Sequence, residues 1–264
     1  MAVDIKQRQP GRAQKRENVF MKAYFGRIPI SGPRLLAVLI VLVCGITAFA
    51  QDEAGTIDVS RIPAHAKDAA SFVPAGWKIE EQVTGDLNGD SLPDYVLKLV
   101  EDKPAKDADD MPTERGRALV IALAATDGNL KRAGVADKLL QCTRCGGAFY
   151  GVVETPAGVT IEKGVVVVEQ DHGSRNLTNT TYKFRFEPAT QRFRLIGFEL
   201  ADADRLTAQV VSESSNYLTN SRVITRSKGN RDLKTKSGLS RHKFYLEDVS
   251  SEEFEMAAYK RLGL

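Results

Sequence analysis

Four oxygen-bearing side chains crowd into Gly85-Asp86-Leu87-Asn88-Gly89-Asp90-Ser91-Leu92-Pro93-Asp94, on Asp86, Asn88, Asp90 and Asp94. Three carboxylates this close repel one another unless a cation or solvent screens them, so the segment reads as a loop. Extended patterns bound it on both sides. Residues 77–83 alternate Trp, Ile, Glu and Val, and residues 95–100 are apolar and rich in strand formers. The loop therefore joins two strands. A hard cation such as calcium takes oxygen donors of this kind, and the carbonyl of Leu92 adds one more. The loop is not an EF-hand, because Leu97 rather than Glu stands twelfth from Asp86. Without an ion, the same residues make an Asx-rich turn.

The rest of the chain continues in short strands. Residues 118–125 are almost wholly apolar, which predicts a central strand buried on both faces, and Asp127-Gly128 turns the chain into another strand from Asn129. Residues 159–162 and 165–169 flank Lys163-Gly164 as a hairpin. Thr181-Tyr182-Lys183-Phe184-Arg185-Phe186 alternates, turns at Pro188-Ala189-Thr190, and resumes as Phe193-Arg194-Leu195-Ile196-Gly197-Phe198. Aromatic and β-branched residues then share one face and Lys and Arg the other. Residues 217–224 and 243–246 read as later strands. A short helix is expected after Pro63, over residues 63–70, and a second over 250–261, where Ser250 and Glu253 have capping-box spacing. The fold class is mainly β: antiparallel strands and hairpins in a blade-like or sandwich arrangement, with short N- and C-terminal helices.

Gly85 to Val96 resembles the calcium loop of FG-GAP (VCBS, integrin-α-like) repeats, whose pattern is G-D-h-[ND]-x-D-G-x-x-D-h-h. On that resemblance Asp86, Asn88, Asp90 and Asp94 are side-chain ligands, Leu92 supplies its carbonyl, and calcium is the cofactor, bound as a structural ion. Two features depart from the family. Ser91 stands where the pattern has glycine, at a sharp turn where a non-glycine residue costs about 1 kcal/mol. The motif also occurs once, whereas propellers of the family repeat it, so a full propeller is not expected. More loosely, Phe72-Val73-Pro74-Ala75-Gly76-Trp77, the Cys-x-x-Cys-Gly-Gly stretch and Asn216-Tyr217-Leu218-Thr219 resemble a group of exported bacterial proteins of unassigned function.

The N-terminus carries an address. Arg27 and Arg34 precede the apolar run 35–43, and Ala48-Phe49-Ala50 offers a small-x-small cleavage site before Gln51. This is the pattern of a secretory signal, with an uncleaved membrane anchor as the alternative and Met21 as a second start position. Val43 before Cys44 does not suit a lipid-modified cysteine. The expected organisation is an extension and signal over 1–50, a flexible linker over 51–60, and one β domain over 61–264 with the loop at 85–96. The whole chain is +3 from 37 Lys+Arg and 34 Asp+Glu, but residues 1–50 hold 8 and 2 of these. The remaining 29 and 32 give −3, so charge does not support a nucleic-acid partner.

With Cys44 in the signal, Cys142 and Cys145 remain, and in an oxidising compartment they are expected to form a small-ring disulfide. A redox role needs the first Cys at a helix N-terminus, and Gly146-Gly147 argues against a helix there. His65, His172 and His242 lack metal-ligand spacing, and Asp171-His172-Gly173-Ser174 reads as a polar turn. Residues 222–243 hold eight Lys or Arg, from Arg222 through Lys243, against Asp232 alone. They form either a solvated loop or a dock for an anionic envelope polymer or lipid headgroups. No catalytic constellation is visible. The expectation is an exported, non-enzymatic periplasmic or extracellular binding module. A hydrolase or inhibitor-type module, with a site assembled from distant residues, and a thiol–disulfide protein using Cys142 and Cys145 are the alternatives.

Overall fold

A computed structural model describes residues 54–229 and 231–264. The expected signal, its cleavage site and Cys44 lie outside the described residues. Two antiparallel sheets make up the fold. The smaller contains β1 (His65–Ala66), β2 (Trp77–Gly85), β3 (Asp94–Glu101), β4 (Arg117–Ala124) and β5 (Leu130–Ala136), in the spatial order 1-5-4-3-2. The larger is a meander of β6 (Ala157–Glu162), β7 (Val165–Gly173), β8 (Asn176–Glu187), β9 (Arg192–Asp204), β10 (Gln209–Asn216), β11 (Ser221–Lys228) and β12 (Arg231–Gly238). Neither sheet closes into a barrel, and the described residues form no propeller.

Alternation decides what each face covers. On the smaller sheet Val96, Leu119 and Ile121 point toward the larger one, where Val166, Val168, Tyr182 and Phe184 meet them in one core. Leu97, Leu99, Ala118 and Val120 point the other way and form a second core with Ile57, Ile62 and Phe72. Strand β4 is therefore apolar on both faces because both faces are covered, as its unbroken hydrophobic run predicts. Two cations cross the seam between the sheets. Lys98 Nζ donates to the Ala157 carbonyl at 2.7 Å and pairs with Glu81, and Arg117 donates to the Thr155 carbonyl at 2.7 Å while it holds Glu80.

The C-terminal helix α1 (Ser251–Leu262) begins where Ser250 Oγ accepts the Glu253 N–H and ends at Gly263 in the left-handed conformation. It packs Phe254 against Tyr182 and Phe198 on the inner face of the larger sheet.

Several expectations need correction. The helix over 63–70 does not form. That stretch holds β1, and a three-residue turn of 3-10 helix, Ala70–Phe72, begins only at its last residue, where the Asp68 carboxylate accepts the Ser71 N–H. Its Ala, Lys, Asp and His residues offer no apolar stripe to hold a helix down. Residues 243–246 make no strand, only a single bridge from Tyr245 to Arg194 and a 3-10 turn. The strand read over 217–224 starts at Ser221, with Tyr217 in the turn before it, while β10 and β12 went unread. From residue 54 the expected linker is packed: Ile57 is buried, and the Gly55 N–H donates to Glu101 at 2.8 Å.

That packing rests on a backbone contact. The Glu101 carboxylate accepts N–H groups from both Gly55 and Gly116. A Cβ on Gly116 would overlap the Gly55 carbonyl oxygen. Gly116→Ala is therefore expected to lower stability by about 1–3 kcal/mol and to open the 54–57 segment to proteases, measured by urea unfolding and limited proteolysis. Unchanged values on both would place this segment outside the cooperative fold.

Candidate functional site

The acidic loop is built around its own amides. Asp86 accepts the Gly89 N–H at 2.7 Å and the Ser91 N–H at 3.0 Å, and Asp90 accepts the Leu92 N–H at 2.8 Å. Asn88 accepts the Asp90 N–H through Oδ1 and donates to Asp90 Oδ2 through Nδ2. Asp94 lies apart from these. Its side chain has no exposure, and its two oxygens accept N–H groups from Leu87 and Ala124, each at 2.8 Å. One carboxylate thus ties the start of the loop, the start of β3 and the end of β4. Leu87 inserts into the core between the sheets, and the Asp86 carbonyl passes over the β6–β7 turn at Gly164.

The chemistry of the donor set fits a hard cation. Burial pushes the Asp94 carboxyl above the ordinary carboxylate value and repulsion from Asp90 and Asp86 adds to this, while the Leu87 and Ala124 N–H groups pull it back. The N–H of Gly89 holds Asp86 below the ordinary value. Among the described residues no Lys or Arg pairs with any of the three. Every oxygen that accepts one N–H keeps a further acceptor site for an ion. The spacing fits less closely: Asp86, Asp90 and Asp94 are not gathered within 4.8 Å of one another. Ser91 sits at φ 66°, the left-handed conformation for which the resembling pattern keeps glycine.

Cys142 and Cys145 are joined by a disulfide with Cα atoms 5.1 Å apart. Glu114 lies close to both sulfurs, but bonded sulfurs are not thiolates and hold no zinc. Cys142 is buried and Cys145 exposed, and a turn and a three-residue 3-10 helix, Gly147–Phe149, follow them in place of an α-helix. The disulfide borders a cleft of about 560 Å³ that Arg117, Lys138, Gln141, His172 and Glu255 also line.

In this cleft lies what local sequence did not show. His172, read as part of a polar turn, is on β7, and its Nε2 is 2.7 Å from Glu255 of α1, 83 positions away. Tyr259 stands beside the pair and donates to Thr178, which donates to the buried Asp202. A histidine beside a carboxylate is a general-base arrangement. A nucleophile is wanting among the cleft's serines: Ser250 Oγ caps α1, and Ser251 Oγ donates to the Lys138 carbonyl. Local sequence carried no signal for the pair: His172 follows Glu169, Gln170 and Asp171 at the polar end of β7.

The basic segment is not a loop. It forms β11, β12 and the connection that follows, and part of its charge is spent internally. Arg222 pairs with the buried Glu213 at 2.9 Å, Arg226 donates to the Leu262 carbonyl, and Lys243 holds Glu187 at 2.6 Å. With Tyr245, Lys243 pulls the Glu187 carboxyl down to about 2. Arg231, Lys234, Lys236 and Arg241 remain exposed on or near the edge strand β12 and, among the described residues, without an ion pair.

The hydrogen bond to Glu255 raises the His172 pKa against the cost of burial, with Asp202 and Asp171 adding to it. A raised histidine stabilises the fold fully below its unfolded value of about 6.5 and ceases to do so as pH rises through the folded value. Stability should therefore fall across that window, and His172→Gln should remove this part of the slope, read by urea unfolding at stepped pH. The same slope in both proteins would contradict a protonated pair. No protein-family model, curated protein or solved structure matches the chain.

Proposed function

We propose that this chain is an exported, non-enzymatic binding module, stapled by a calcium ion in the Asp86–Asp94 loop, that meets an anionic envelope polymer through its basic edge. One observation carries the calcium reading: three carboxylates held by backbone amides, one of them fully buried, with no cationic side chain among the described residues to balance them. An ion would be ligated by Asp86, Asn88, Asp90, the Leu92 carbonyl and Asp94, as in the FG-GAP loops that the segment resembles. It would remove the repulsion, and binding would have to draw the Asp86, Asp90 and Asp94 oxygens closer than the loop holds them.

The ion's role is structural in this reading, because Asp94 and Leu87 already join the loop to both sheets. The polymer reading is supported by the four exposed cations around β12. One exposed leucine there, Leu233, is too little apolar surface for insertion into a bilayer. Export is supported by the charged, apolar and small-residue pattern before Gln51, and a disulfide suits an oxidising compartment. The thiol–disulfide alternative has the exposed Cys145 in its favour, but lacks the helix N-terminus that lowers a thiol pKa.

Extracellular modules bind calcium at roughly 0.1–1 mM, so 1 mM ion should add about 0.4–1.4 kcal/mol of stability. Calorimetric titration and thermal melts should show this in the native chain and lose it in Asp90→Ala. Ser91→Gly should gain about 1 kcal/mol by relieving the left-handed backbone and should bind the ion more tightly. Equal heats and melting temperatures with calcium and with chelator would sink the proposal.

A further inference from the structure

A second pocket, of about 420 Å³, lies between α1 and the β10–β12 end of the larger sheet. Its apolar wall is a run of rings. Tyr217 meets Phe244 edge-on at 5.9 Å, and Phe244 meets Phe254 edge-on at 5.2 Å. Tyr217 is buried, whereas Phe244 and Phe254 are half-buried and leave ring surface uncovered. Apolar surface of this kind, in a volume of this size, is where small ligands lodge.

The polar side of the pocket is unbalanced in charge. Glu213 beneath it has no side-chain exposure and receives two guanidinium groups. Arg261 donates through Nε at 2.7 Å and Nη2 at 2.9 Å, and Arg222 Nε lies 2.9 Å away. Two cations on one carboxylate leave one positive charge over. The Arg222 contacts all run through Nε, to Glu213 and Ser215. Its terminal nitrogens bond to no described residue and are not among the buried unpaired atoms, so they stay accessible. Glu253, the one acid lining the pocket, is exposed at the rim and pairs with neither arginine among the described residues.

We infer that this pocket binds a small amphipathic carboxylate, with an aryl or short acyl body against the rings and its carboxylate on the terminal nitrogens of Arg222. The guanidinium fork matches a carboxylate in two-point geometry, and the buried Glu213 holds that fork in place. The inference is independent of the calcium loop and of the polymer edge: it needs neither an ion nor a polyanion.

Calorimetric titration of the full chain with octanoate and 3-phenylpropionate tests it, beside acetate, inorganic phosphate and 1-octanol. The two amphipathic carboxylates should bind, and the other three should bind about tenfold more weakly or not at all. Arg222→Gln should weaken octanoate about tenfold. Ala257→Phe, on the exposed side of α1 where the residue lines the pocket, should abolish binding without touching the Glu213 cluster. Acetate or phosphate binding as well as octanoate would reduce the site to a surface cation and overturn the inference. So would equal binding of 1-octanol, unchanged octanoate affinity in Ala257→Phe, or binding to anionic vesicles with none to monomeric octanoate. Because Arg222→Gln also strips a partner from Glu213, its melting curve is to be compared with that of Ala257→Phe, which keeps the test decisive if the first variant unfolds.

Discussion

The fold depends on a carboxylate that is out of water. Asp94 has no exposed surface, and a buried charge is costly unless hydrogen bonds replace its hydration. Two backbone N–H groups do so, and they come from different places: Leu87 at the head of the loop and Ala124 at the end of β4. Each bond to a charged acceptor contributes about 1.5–3 kcal/mol. Their larger effect is geometric. With the loop fixed at both ends, Leu87 reaches the core between the sheets, and the β2–β3 connection lies across the β6–β7 turn. The seam between the two sheets closes around this point.

Other charges repeat the arrangement at lower density. Lys98 and Arg117 reach across the seam to carbonyls of the β6 region, and each has a carboxylate to balance it. Glu213 binds α1 to β10 and β11 through two arginines, and His172 binds the same helix to β7 through Glu255. Breaking one partner of such a buried cluster is expensive because the other charge is left unpaired. The helix is thus clamped at two points on the larger sheet, and the cleft and the aromatic pocket lie at those clamps.

Much of this was legible from local pattern. The alternation in 181–186 and 193–198 belongs to the paired strands β8 and β9, the apolar run at 118–125 to the doubly covered β4, and Ser250 to the cap of α1. The acidic loop lay between the strands its flanks predict. The unread parts share a cause. Strand β12, Arg-Asp-Leu-Lys-Thr-Lys-Ser-Gly, has no apolar face, and its strand state comes from register against β11. The Glu213 and His172 clusters are pairings between residues tens of positions apart, and no local period records them. Residues after Pro63 carried helix formers, yet tertiary contacts such as the Arg132 N–H on the Ala64 carbonyl hold them extended.

Amide hydrogen exchange at Leu87 and Ala124, followed residue by residue in the native chain with chelator and then with calcium, reaches the central claim most directly. If Asp94 is the staple that joins loop and sheets, both amides exchange far more slowly than the Asn88 and Gly89 amides of the loop tip, and calcium slows them further. Exchange of Leu87 and Ala124 as fast as that of the loop tip, in either condition, would contradict the account.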